Sequence, residues 1–494
     1  MSAEQPESGS HLVRGAIWMI AMRWMMRSMG LFSTVVLARL LTPDDFGVVA
    51  IALIMVGLLE TIAYLGVDLS LIKDQHAGRD DFDTAWSVQL IQGAMISLLL
   101  LVCAPFMAAY FHEPRAVAVI LWLAVRPIID GLVNIGLVAF RKDLNFALEF
   151  RFHVATKLVG VVIQIGAALL FRNYWALVVG MIASSVTTVV MSYLLHPYRP
   201  RFTLTQAAKI WSFSQWLLVA RVGSFFNRRA DEFVVGNLLG TAAMGGYHVI
   251  YELASTPTSE IIMPMRRALF PALSRVADDV VVYQRMVIDT LRSSAVICFG
   301  LGVGLACSAD QVVPLVLGPQ WLSTVPLLRW LALFGVSAAV SSVLEVPLWV
   351  AGRTQLSALN NWIELALLVP LLYLATRHWG VQGAAAGRFA VSVCMVPVAW
   401  WMVQSACGLS VTTMARALVS PLIAAVTMAP AMFAVGAMSA WPLGLRLPVT
   451  LLAGASTYCL TLWLLWRFAG RPPGIESTAM AAITRFVGKC RRAA

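Results

Sequence analysis

Apolar runs of about 20 residues recur along the whole chain, and they constrain its fold more than any other feature. A helix of that length crosses the hydrocarbon core of a bilayer, which is about 30 Å thick. Of the 494 residues, 60% are hydrophobic and only 12% are charged, whereas a soluble domain carries about 25% charged residues. The sequence therefore predicts an all-α polytopic membrane protein.

The runs predict about 14 transmembrane helices, of which the first, seventh and eighth contain the most charged residues. They cover residues 15–41, 46–71, 84–110, 116–139, 151–171, 174–196, 210–240, 244–270, 287–309, 322–350, 355–376, 380–405, 412–439 and 447–469.

The distribution of basic residues between the predicted loops indicates the orientation. With the N-terminus in the cytoplasm, 22 Lys and Arg residues lie on the cytoplasmic side and 5 on the opposite side. Because cytoplasmic loops are enriched in Lys and Arg, both termini are expected in the cytoplasm. Residues 1–14 and the basic segment 471–494 are then cytoplasmic tails.

Two similar turns suggest an internal repeat. The stretch LLTPDDFG (40–47) aligns with LLGTAAMGG (238–246), which places Gly47 on Gly245. Six helices return the chain to the same side of the membrane, so the repeat is parallel. We expect an N-terminal six-helix lobe over 15–200, a C-terminal six-helix lobe over 201–408 and an added helix pair over 409–470.

The first of these turns has a structural interpretation. Pro43 ends the first helix, and Asp44 and Asp45 suit the N-terminus of the second, where negative charge is stabilised. We expect a tight hairpin in which the aspartates cap and form pairs.

Several stretches resemble the Wzx-type flippases, the polysaccharide transporter branch of the multidrug/oligosaccharidyl-lipid/polysaccharide (MOP) flippase superfamily, which also contains the MATE transporters. The matching stretches are LARLLTPDDFGVVAIA (37–52), LGVDLSLIKDQHAGRDDFDTAW (65–86), LLGTAAMGGYHVIYELASTP (238–257) and LFPALSR (269–275). The resemblance implies alternating access and a substrate that is an undecaprenyl-diphosphate-linked oligosaccharide for exopolysaccharide, capsule or O-antigen (lipopolysaccharide) synthesis. A polysaccharide polymerase and the export machinery are further partners to be tested.

Four arginines are candidate substrate-binding residues. An ionisable group at the centre of a membrane helix costs about 2.5–3.5 kcal/mol on insertion scales, so it usually faces a cavity or a partner. Arg23 and Arg27 share one face of the first helix, and Arg221 and Arg228 share a face of the seventh, its equivalent in the repeat. Guanidinium groups bind phosphate oxygens in pairs. The alternative is internal salt bridging of Arg228 or Arg229 with Asp231 or Glu232.

Other intramembrane charges have either a pairing or an ion-coupling role. Arg126 and Asp130 are spaced for an i,i+4 salt bridge. Four further carboxylates either pair with arginines or titrate during ion-coupled transport, and the sequence does not separate these roles: Glu60, Asp68, Glu252 and Glu260.

The chain contains no motif for catalysis. DDFD (80–83) is similar to a metal-binding DxD motif, but the soluble domain of a glycosyltransferase is missing around it. The seven cysteines form no CxxC pattern, so we expect neither a metal nor a cofactor. The alternatives to a flippase are a cation-coupled multidrug exporter of the same superfamily and a membrane-embedded polysaccharide polymerase or glycosyltransferase.

Overall fold

The computed structural model describes the backbone of residues 6–63, 71, 78–142, 146–205, 207–437 and 441–470. Side chains are described there except at 6–17, 20, 141–142, 146 and 207–221. Asp68, the side chain of Arg221 and the tail over 471–494 therefore lie outside the described residues.

Within the described residues, all regular secondary structure is helical, as the sequence predicts. Two short 3-10 helices cover Ile135–Leu137 and Pro319–Thr324. The α-helices are α1 (Pro6–Leu40), α2 (Pro43–Ala63), α3 (Arg79–Tyr110), α4 (Arg115–Leu123), α5 (Val125–Gly131), α6 (Val138–Lys142), α7 (Phe146–Phe171), α8 (Trp175–Leu195), α9 (Ala207–Leu239), α10 (Thr241–Arg275), α11 (Val280–Cys307), α12 (Ala309–Val316), α13 (Val325–Val343), α14 (Glu345–Val350), α15 (Thr354–Cys407), α16 (Val411–Gly436) and α17 (Leu443–Phe468).

The described helices agree with a count of 14 membrane spans. Nine helical segments in the described part of the chain are long and apolar enough to cross a membrane. One of them, α15, contains two predicted spans, because Gly380 has φ 61° and ψ −148°, a conformation open mainly to glycine. The charged helices α1, α9 and α10 and the interrupted segment α4–α6 account for the other spans. The predicted fold class is confirmed.

The fourth span differs from its prediction as one helix over 116–139. Helix α4 ends at Leu123, because Pro127 has no N–H to donate to the carbonyl of that residue. After α5, the buried side chain of Asn134 accepts a 2.9 Å hydrogen bond from the amide of Gly136 and starts a 3-10 turn. The segment is therefore a series of short helices.

The chain forms two compact units. The first comprises Met1–Arg229 and Gly236–Gly246, and the second comprises Ala230–Val235 and Tyr247–Ala494. In the first unit, α7 packs along α1 and α8, while α3 packs on α5 and α2 on α4. In the second unit, α11 packs on α13 and α16, and its core contains Leu273, Val287, Leu291 and Val343. The lobe boundary at residue 200 stays a prediction.

The two turns aligned by the repeat contact each other within the first unit. A Cβ atom on Gly47 would lie 1.9 Å from the carbonyl oxygen of Thr241, and one on Gly245 would lie 1.9 Å from the carbonyl oxygen of Pro43. Both positions therefore require glycine. The hydroxyl of Thr241 also donates a hydrogen bond to the carboxylate of Asp44.

The aspartates of the first turn cap and pair, as expected. Thr42 donates through its hydroxyl to the Asp45 carboxylate at 2.7 Å, and Tyr174 donates its amide to the same carboxylate at 2.9 Å. Both guanidinium NH2 groups of Arg115 reach Asp44, at 2.8 and 3.2 Å. These bonds fasten three loops together at one end of the first unit.

Candidate substrate-binding site

The first pair of candidate arginines lies on α1. Arg23 and Arg27 are both half-buried and make polar or electrostatic interactions within the molecule. Their spacing of four residues places them on one helix face. Their predicted contact with the phosphate groups of a substrate stays a prediction.

The second pair is described only in part. Arg228 on α9 is exposed and donates a 2.7 Å hydrogen bond to the hydroxyl of Ser224, one turn earlier. The side chain of Arg221 lies outside the described residues. The predicted joint role of these two arginines is therefore untested.

An ion pair within the first unit brings three of the predicted residues together. The Nε atom of Arg126 lies 3.2 Å from a carboxylate oxygen of Asp130, which is the i,i+4 pair expected from the sequence. Glu60 on α2 interacts electrostatically with both residues. Gln89 on α3 donates a 3.0 Å hydrogen bond to the carbonyl of Asp130 and links a third helix to the group. The role of Glu60, pairing or ion coupling, stays a prediction.

The carboxylates of α10 are placed without a defined role. Glu252 and Glu260 are half-buried and make interactions within the molecule. Their assignment to pairing or ion coupling stays open.

A buried ion pair in the second unit was missed by sequence reasoning. Asp231 on α9 is 1% exposed and Arg388 on α15 is 3% exposed, and their nearest charged atoms are 3.9 Å apart. The hydroxyl of Tyr247 donates to the other carboxylate oxygen of Asp231 at 2.7 Å, and the guanidinium lies 4.8 Å from the ring centre of Phe334. The ion-pair partner of Asp231 thus comes from a distant helix, which the alternative of local pairing did not include.

A second polar contact lies beside this pair. The Nδ1 atom of His248 on α10 is 3.1 Å from a carboxylate oxygen of the buried Glu232. Sequence reasoning did not single out His248, and its only signal was a histidine 16 positions after an intramembrane glutamate.

The string DDFD has a structural role. Asp83 is buried and accepts hydrogen bonds from the hydroxyl of Tyr198 at 2.6 Å and from the amide of Arg201 at 2.9 Å. Burial raises the pKa of Tyr198, and the adjacent carboxylate raises it further. Asp83 thus fixes the extended linker that precedes α9.

Each unit contains a cavity of different character. The first unit has a polar pocket of about 250 Å³ between α2, α5, α7 and α8. The second unit has a cavity of about 770 Å³ between α11, α13, α15 and α16 with almost entirely apolar walls, including Phe299, Val340, Trp400 and Phe433. A cavity with such walls accommodates a hydrocarbon chain rather than a sugar.

Comparison with solved structures defines the class of this helical fold. The chain matches the structure of the lipid II flippase MurJ with a TM-score of 0.73 at 14% identity, covering 92% of this chain and all of that one. This likeness is one of fold. The chain has the same fold, too, as an inward-facing structure of a MATE family transporter of the MOP superfamily, with a TM-score of 0.58 at 15% identity over 78% of this chain and 96% of that one.

Sequence comparison then gives the family. Residues 36–326, more than half of the chain, match the family described as "Polysaccharide biosynthesis protein". The chain belongs to this family. The resemblance to the polysaccharide branch of the MOP flippases is thereby confirmed.

Curated relatives agree with this assignment. The lipopolysaccharide biosynthesis protein WzxC of Escherichia coli (strain K12) is 23% identical over 77% of this chain and 78% of its own length. The succinoglycan biosynthesis transport protein ExoT of Rhizobium meliloti (strain 1021) is 26% identical over 60% of this chain and 61% of its own. Of these proteins, ExoT is named a transport protein and MurJ a flippase.

Proposed function

We propose that the protein is a flippase that moves an undecaprenyl-diphosphate-linked oligosaccharide across the bacterial inner membrane by alternating access. The product would be used for exopolysaccharide, capsule or O-antigen synthesis. The match of residues 36–326 to the polysaccharide biosynthesis family is the observation that carries this proposal. Under it, both termini lie in the cytoplasm, as the basic loops predict.

The chemistry of the described residues supports a substrate with an anionic head and a lipid tail. Arg23 and Arg27 share a face of a charged helix, where guanidinium groups would bind diphosphate oxygens. The apolar cavity of the second unit suits a hydrocarbon chain. Neither feature serves a covalent reaction, and transport requires none.

The test is deletion of the gene followed by analysis of secreted polysaccharide and lipid-linked sugars. We expect one polymer to disappear while its lipid-linked repeat unit accumulates at the cytoplasmic face. Wild-type protein should restore the polymer, whereas Arg23→Ala and Arg27→Ala should not. The matched control is Arg353→Ala, which removes an exposed arginine at the start of α15 and should restore it.

Two other outcomes contradict the proposal. Normal polymer in a deletion strain that has no second flippase would favour small-molecule export. Formation of longer glycans by the purified protein would identify an enzyme. Restoration by Arg23→Ala and Arg27→Ala at normal protein levels would remove the arginines from the site while leaving the function intact.

A further inference from the structure

The polar pocket of the first unit has a defined size. Its lining includes Leu53 on α2, Arg126 on α5, Lys157 on α7 and Ser185 on α8. Its volume of about 250 Å³ is large enough for one phosphate group or one monosaccharide and too small for an oligosaccharide. The pocket therefore suits a single chemical group of a larger molecule.

Two glycines shape the wall where α7 and α8 meet. A Cβ atom on Gly180 would lie 2.4 Å from the Cβ atom of Gln164, and one on Gly160 would lie 2.9 Å from that of Ser184. The helices approach closely because both positions lack a side chain. This approach holds Gln164 and Ser184 at the pocket.

The polar groups of the pocket are mainly donors. Lys157 makes no hydrogen bond or ion pair with the described residues, and the same holds for the hydroxyls of Ser184 and Ser185. The amide oxygen of Gln164 accepts a 3.2 Å hydrogen bond from Ser33, which leaves its NH2 group for a ligand. A lysine ammonium has three donors and no acceptor.

The charges of the pocket are unevenly compensated. Arg126 has its counter-ion in Asp130, at 3.2 Å, while Lys157 has none among the described residues. Lys157 is half-buried in the middle of a membrane-spanning helix, where a lysine costs about 2.5–3.5 kcal/mol on insertion scales. An anion at the pocket would supply the missing charge. A cation site would instead require free carboxylate or carbonyl oxygens.

We propose that this pocket binds an anionic group, a carboxylate or a phosphate, of the transported molecule, with Lys157 as its main contact. The identity of the ligand rests on the proposed function, because the substrate of that function contains two anionic groups that could bind here. One is the carboxylate of an acidic sugar in the glycan, and the other is the phosphate of the lipid linkage. Gln164, Ser184 and Ser185 would donate hydrogen bonds to the same group.

The experiment measures binding to the purified full-length protein in detergent, by the shift in its thermal unfolding temperature. The probes are glucuronate, its neutral counterpart glucose, and inorganic pyrophosphate, each titrated to saturation. We expect at least one anion to bind and glucose not to bind. Lys157→Gln should weaken anion binding by about tenfold or more, as for loss of a charged hydrogen bond, while Lys157→Arg keeps it.

Two further variants keep the result interpretable. Arg353→Gln removes one positive charge outside the pocket and should bind as wild type. Ser185→Ala removes a donor without changing the charge and should weaken binding even if Lys157→Gln fails to fold. Binding of glucuronate alone assigns the pocket to an acidic sugar, and binding of pyrophosphate alone assigns it to the lipid linkage.

The proposal is overturned if neither anion binds, if glucose binds equally well, or if folded Lys157→Gln binds as wild type. These results are independent of the deletion test. Restored polymer without anion binding would reject only the pocket. Lys157-dependent binding by a protein that is dispensable for the polymer would reject only the flippase assignment.

Discussion

Gly47 and Gly245 lie against each other, so that a Cβ atom on Gly245 would be 2.5 Å from the amide nitrogen of Gly47. These are the two residues that the internal repeat aligns. The equivalent turns of the two halves are thus in direct backbone contact within the first unit. The contact explains why glycine occupies the same position in both turns.

Gly245→Ala should destabilise the protein, since the new methyl group would meet backbone atoms that cannot move aside. Overpacking typically costs about 1–3 kcal/mol, and a backbone clash is at the upper end. The measurement is the thermal unfolding temperature in detergent. Gly30→Ala is the control, because nothing lies within 4 Å of its Cβ position. Equal unfolding temperatures for the two variants would contradict the close contact.

Removing one member of the Asp231–Arg388 pair should cost more than removing both. A single Asp231→Leu or Arg388→Met exchange leaves a buried charge without its counter-ion, at a cost of about 3–5 kcal/mol. The double exchange Asp231→Leu with Arg388→Met removes both charges and should be more stable than either single variant. Unfolding temperatures of the four proteins give the coupling energy. Strict additivity would show that the pair does not exist.

Glu113 should make the stability of the protein depend on pH through its ion pair with Arg115. Arg115 donates hydrogen bonds of 2.7 and 2.8 Å to both carboxylate oxygens, which holds the pKa of Glu113 below its usual value. The ionised Glu113 carboxylate therefore stabilises the folded protein fully above the ordinary carboxylate pKa of about 4.3. This stabilisation is lost as the pH falls through the lower pKa that Glu113 has in the folded state.

The comparison of wild type with Glu113→Gln tests this sign. The difference in unfolding temperature should be largest at neutral pH and should shrink below about pH 4. Asp278→Asn, at an exposed carboxylate without an arginine contact among the described residues, is the matched control. A difference that grows as the pH falls would show that the interaction is not a carboxylate–arginine pair.

Tyr198→Phe should loosen the linker before α9. The exchange removes the 2.6 Å hydrogen bond to Asp83 but keeps the ring, so trypsin should cleave faster after Arg201. Limited proteolysis followed by mass spectrometry measures this rate. Tyr373→Phe alters an exposed tyrosine and should leave the rate unchanged. Unchanged cleavage in Tyr198→Phe would mean that other contacts hold the linker.

The helices were predictable because membrane insertion is a property of local composition. A run of apolar residues must be helical in lipid, where each backbone polar group needs a partner within its own segment. The break in the fourth span was harder to predict from the sequence. Pro127 marks it in the sequence, but the way the chain continues depends on Asn134, which donates to the carbonyl of Tyr198 at 2.7 Å.

The site was predictable only where partners are close in sequence. The Arg126–Asp130 pair follows from helix spacing. The Asp231–Arg388 pair does not, because it depends on the packing of two distant helices. Lys157 is visible in the sequence as an intramembrane charge, but its pocket also requires the close approach at Gly180.

The first unit is built from two separate segments of the chain, and this has a consequence for the synthesis of the protein. Its final segment, Gly236–Gly246, follows Gly47 by about 200 residues, which at about 5–20 residues per second is a delay of roughly 10–40 s on the ribosome. During that time, the first turn has already been made, but its partner has not. The nascent N-terminal helices must therefore persist in the membrane with an unfinished contact, and a chain terminated before Gly236 cannot complete its first unit.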